Sequence, residues 1–133
     1  MLVAGGNMTK APDAVIYTIV VSCETFCISI TIAVLNDLQV KFGDVLNAYI
    51  TALVMELIWT TLGTKFGNDQ GKTAIFVRAL YGLKSSGAAF HKHLREFMSG
   101  LGYKPCLADP ELWLKPEVRD NGVDYYSYIL CYF

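Results

Sequence analysis

From Ala14 to Leu35 the chain is almost wholly apolar, and Glu24 is its only charge. A run of that length is enough to cross a bilayer as a helix. Yet Ser22-Cys23-Glu24-Thr25 interrupts it with a helix-start signal. Ser22 can cap, and Glu24 then falls in the first turn, near the positive end of the helix. The run therefore predicts a short strand around Val15–Val21 and a helix from about Cys23 to Asn36. On that helix Phe26, Ile30, Ala33 and Val34 share a face. A single span near residues 14–35 is the competing reading.

Composition narrows the choice. Hydrophobic residues make up 53% of the 133 residues and charged residues 17%, more apolar than an ordinary soluble domain. Such a chain can bury a core and is not disordered. Its length suits one domain over residues 1–133. The net charge of -1 offers no general basic footprint for nucleic acid, though a local basic groove stays open. Cys23, Cys27, Cys106 and Cys131 form no CxxC pair, and free thiols fit reducing, intracellular surroundings, cytoplasm or nucleus. The opening Met1 to Gly6 has neither the basic start nor the long apolar region of a signal peptide.

Further along, Gln39 to Asp44 alternates as a strand would, and a short helix is expected near Asn47–Ala52. Ile58–Thr60 and Ala74–Arg78 read as strands around a turn-rich loop at Thr64–Lys72. Ser86 to Leu101 is the clearest helix, with Phe90, Leu94, Phe97 and Leu101 as its apolar stripe and Gly100 and Gly102 as its stop. Leu112–Leu114 and Tyr125–Phe133 read as strands joined by a turn at Asp120-Asn121-Gly122. Strands and helices mix without regular alternation, which predicts an α+β fold.

Two motifs fail on inspection. Gly71-Lys72-Thr73 imitates the end of a phosphate-binding loop, but Phe66 stands where that loop needs glycine. His91-Lys92-His93 puts two imidazoles two residues apart, on different faces of a helix. Asp44-Val45-Leu46-Asn47-Ala48-Tyr49-Ile50 is more informative. Asp44 is either a helix cap after a strand or a metal ligand, since a carboxylate at a strand end can bind Mg²⁺ together with phosphate oxygens. Phosphoryl transfer by two metals needs several such carboxylates.

This segment resembles the first catalytic motif of reverse transcriptases. Ala79-Leu80-Tyr81-Gly82-Leu83-Lys84-Ser85-Ser86 resembles the "K-A-L-Y-G-L-K-Q-S" signature of copia-type retrotransposons. Glu56, Ile58 and Trp59, then Leu101-Gly102-Tyr103, then Ala108 to Trp113, and the opening Leu2 to Gly6 resemble further motifs of that family in the same order. The resemblance implies a partial fingers–palm arrangement with an incomplete sheet, and RNA-directed DNA polymerisation as the ancestral reaction. It implies Asp44 as the first Mg²⁺-binding carboxylate and Tyr49 as the ring beneath the incoming sugar. Tyr81, Gly82 and Lys84 would line the nucleotide and template side. Primer–template and deoxynucleoside triphosphates are the implied partners, and a membrane is not.

The chain also departs from that pattern. The family's Tyr-x-Asp-Asp does not occur in the 133 residues, and Met1 stands where relatives carry basic residues before Leu-Val-Ala. Cys23 and Cys27 take positions where relatives commonly carry arginine, as unselected drift would produce. The expectation is therefore an inactive chain. The aromatic, almost uncharged Tyr125–Phe133 is expected to leave an unprotected sheet edge and to promote self-association.

Overall fold

The computed structural model describes residues 20–132, in two compact units. It is mixed α+β, with two small antiparallel sheets and a few helices. The described residues of one unit are 45–93, and those of the other are 20–44 and 94–132.

In the first unit, α2 (Ala48–Thr51) leads to a hairpin of β1 (Trp59–Thr61) and β2 (Thr73–Ile75), paired from Trp59↔Ile75 to Thr61↔Thr73. The loop expected at Thr64–Lys72 contains a 3-10 turn over Thr64–Asp69, broken at Gly67 (φ 54). Beyond the ladder the strands stay tied: Phe76 N donates to Ile58 O at 2.9 Å and Val54 N to Val77 O at 3.1 Å. This side of the hairpin keeps Leu57, Trp59, Ile75 and Val77 exposed. The buried residues lie where the next segment returns: Ala52 and Ala79, both 0% exposed, are joined by a bond from Ala79 N to Ala52 O at 3.1 Å.

The second unit is built on β4 (Leu112–Val118) and β5 (Asp124–Leu130), with two-residue β3 (Lys104–Pro105) on the far side of β4. β4 and β5 pair from Leu112↔Leu130 to Val118↔Asp124. Their connection is a turn closed by Arg119 N donating to Val123 O at 2.9 Å, with Gly122 at φ 80. That is the three-residue hairpin loop in which a left-handed residue, nearly always glycine, ends the turn. Met98 of α3 (Ser86–Gly100) packs with Trp113 and Cys131, and Leu94, Tyr103 and Ile129 close around them. Burial of this apolar cluster is the main stabilising term of the unit.

α1 (Cys23–Leu35) begins as expected. Ser22 Oγ accepts from Thr25 N at 3.1 Å, with Glu24 in the first turn. Both of its ends are tied to the hairpin. Val21 N donates to Cys131 O, and Arg119 Nη2 donates to the carbonyl of Asn36. α1 has 13 residues, and among the described residues no helix is long and apolar enough to cross a membrane.

Several expectations need correction. Residues 39–44 form no strand. Val40 is 49% and Phe42 86% exposed, and alternation without a partner strand does not hold a chain extended. The strand expected at Val15–Val21 lies mostly outside the described residues, and Val20 and Val21 are not in a strand. On α1 the buried residues are Ser29 and Ala33, whereas Phe26 and Val34 are exposed. A helix apolar on every side has no stripe from which its orientation can be read. On α3 the buried line runs Phe90, Leu94, Met98, and Phe97 and Leu101 are exposed. The helix continues in steps of four where the sequence reading stepped by three. β4 is longer than the Leu112–Leu114 expected, and β3 had not been anticipated.

Candidate functional site

Asn47, Tyr49 and Thr51 belong to a segment that barely forms a helix. α2 has four residues, and Asn47 precedes it at φ 55, with its side chain making no cap. Asparagine is among the few side chains that tolerate that left-handed backbone. The bonds Ile50 N to Asn47 O and Ala52 N to Tyr49 O close the turn, and the Tyr49 ring is left half-buried.

The partner segment is a tight turn. Leu83 N donates to Leu80 O at 3.2 Å, and Gly82 takes φ 92 at the third position. This is the arrangement of a type II turn, where a side chain at that position would be strained. Leu83, Ser85 and Ser86 are buried, and Ser86 Oγ donates to Leu80 O at 2.6 Å. The turn is thereby fastened to the start of α3, while Gly82 and Lys84 stay exposed.

Three successive contacts join the two segments. Arg78 Nη1 donates to Thr51 O at 2.8 Å, and Ala79 pairs with Ala52. Tyr81 packs on Tyr49 with ring centroids 4.6 Å apart at 47°. Phe90 meets Tyr49 edge-on at 6.2 Å. Of the residues singled out from the sequence, Tyr49 and Tyr81 are thus in contact, and Gly82 shapes the turn that delivers Tyr81. Asp44 lies in the other unit and is exposed. Among the described residues no three His, Cys, Asp or Glu side chains gather as a metal site. Asp44 alone supplies one hard oxygen ligand. Mg²⁺ wants near-octahedral oxygen coordination, so this donor set does not by itself hold a two-metal centre.

The sequence reading missed Arg78 and Phe90, which carry no motif of their own, and the part played by Asp109. Asp109 is 7% exposed and accepts from Ser22 N and from Glu111 N, each at 3.0 Å. The Ser22 amide first, and the Thr25 hydroxyl next, hold its carboxyl below the usual carboxylate range. Glu111, with its side chain 1% exposed, lies 3.9 Å from Arg95, whose guanidinium sits 5.4 Å above the Trp113 ring. Burial, helped by the charge of Glu111, pushes the Cys131 thiol up to about 11. In the first unit, Glu56 holds Oε1 buried with no hydrogen-bond partner.

No protein family, curated protein or solved structure matches this chain.

Proposed function

We propose that the chain is part of a copia-type reverse transcriptase, with a partial fingers–palm fold and an ancestral role in RNA-directed DNA synthesis by two-metal nucleotidyl transfer. The observation that supports this reading is the contact between Tyr49 and Tyr81. It joins two segments, far apart in sequence, that resemble separate motifs of one polymerase. In this reading Asp44 takes one Mg²⁺, and Tyr49 lies beneath the incoming sugar. Tyr81, Gly82 and Lys84 line the nucleotide and template side, with primer–template and deoxynucleoside triphosphate as partners inside the cell.

The chain itself is read as inactive. Two Mg²⁺ ions and a triphosphate need several carboxylates to hold the attacking and leaving oxygens in line, and Asp44 is one. No primer extension is expected with Mg²⁺ or Mn²⁺. Extension by the purified chain that Asp44→Ala abolishes would overturn this part of the proposal.

The ancestral reading has its own test. A fluorescent primer–template should bind with an affinity that falls steeply with salt, and Tyr49→Ala and Tyr81→Ala should each weaken it. Salt-insensitive binding, or binding unchanged in both variants, would count against a retained nucleic-acid surface.

A further inference from the structure

α1 carries two thiols, Cys23 and Cys27, both free and both exposed. Residues four apart on a helix have Cβ atoms roughly 5–6 Å apart on one face, so the two sulfurs share a patch of surface. Two thiolates in one patch repel each other unless a cation lies between them. A disulfide is a poor alternative, because its narrow Cβ separation and fixed dihedral are hard to meet within one helical turn.

The number of donors selects the cation. Zinc takes four ligands, and calcium and magnesium take six or more oxygens. No third His, Cys, Asp or Glu joins the pair among the described residues. Thiolates select soft ions such as Cu(I), and Cu(I) is satisfied by two sulfurs on opposite sides.

We propose that Cys23 and Cys27 form a two-coordinate site for a thiophilic monocation, Cu(I). On binding, two S–H bonds break, two S–Cu bonds form, and two protons pass to solvent. The metal enters and stays as Cu(I), so nothing is oxidised or reduced. The bis-thiolate complex carries one net negative charge.

The test uses the full chain under anaerobic conditions. Cu(I) is the only probe, offered as its coloured bicinchoninate complex, which bleaches as the protein takes the ion. One ion per chain is expected, with two sulfur neighbours by X-ray absorption. Cys23→Ser and Cys27→Ser should each lose this uptake while keeping the helical circular dichroism of the parent. Cys106→Ser should take up one ion as before. The proposal is overturned if the chelator keeps its copper, or if either serine variant still binds one ion. One ion per two chains, with a dimer mass, would also overturn it.

Discussion

At the scale of single residues, Asp109 joins parts of the second unit that are 87 positions apart in sequence, through its bond with the Ser22 amide. Its carboxylate accepts from the part-buried amide of Ser22 and the buried amide of Glu111, and leaving a buried donor without an acceptor costs about 1–3 kcal/mol. Asp109→Ala should lower stability by that order in urea unfolding. The carboxyl is held below its ordinary range, so its contribution is fully present above the unfolded-state carboxylate pKa. It is lost as pH falls through the lower folded-state value. The acid branch of a stability–pH profile should therefore be flatter in Asp109→Asn than in the parent, and parallel branches would contradict the assignment. Glu56 works in the opposite sense. Its Oε1 is buried without a partner, so Glu56→Met should leave stability unchanged or raise it. A clear loss in thermal unfolding would show that the carboxylate is engaged.

At the scale of elements, helix ends were legible in the sequence and helix faces were not. Ser22 and Glu24 mark the start of α1, and Gly100 and Gly102 bracket the end of α3, because caps and stops are local chemistry. Which side of a helix is buried depends on what it meets, and α1 offers apolar residues on every side. The strand expected at 39–44 failed for the same reason, since pairing is settled by a partner and not by alternation. In the candidate site, Tyr49 and Tyr81 were visible through motifs, whereas Asp44, also marked by a motif, lies in the other unit. Phe90 was legible only as part of an apolar stripe and Arg78 only as the end of a strand, because their part in the site comes from contacts made on folding. The corrected face of α3 can be measured. Met98 is 4% exposed and Phe97 58%, so Met98→Ala should cost about 2–5 kcal/mol and Phe97→Ala much less. Equal losses would restore the stripe first read from the sequence.

For the whole molecule, the side of β5 away from β4, which no described strand covers, governs behaviour at high concentration. Bonds from Arg119 N to Val123 O and from Cys131 N to Glu111 O direct the odd-numbered residues of β5 toward β4. The backbone groups of Tyr126, Tyr128 and Leu130 therefore face the other way, where no described strand pairs with them. No charge interrupts Tyr125 to Tyr132, and edge strands without charge or proline invite pairing with another chain. Sedimentation should reveal association that grows with concentration, and Tyr126→Lys, at a position 53% exposed, should reduce it. A monomer at every concentration would remove the argument.

Cys131 sits at the end of that strand, 8% exposed, with its thiol pushed up to about 11. At neutral pH it is protonated and shielded, so an alkylating reagent reaches it only when the Met98–Trp113 cluster comes apart. Cys23 and Cys27 are exposed and should be alkylated at once. The delay before Cys131 follows is therefore a clock that the protein carries within its own core. Read by mass spectrometry across a range of reagent concentrations, it gives the frequency of opening when labelling is fast. When labelling is slow, it gives the equilibrium between closed and open forms.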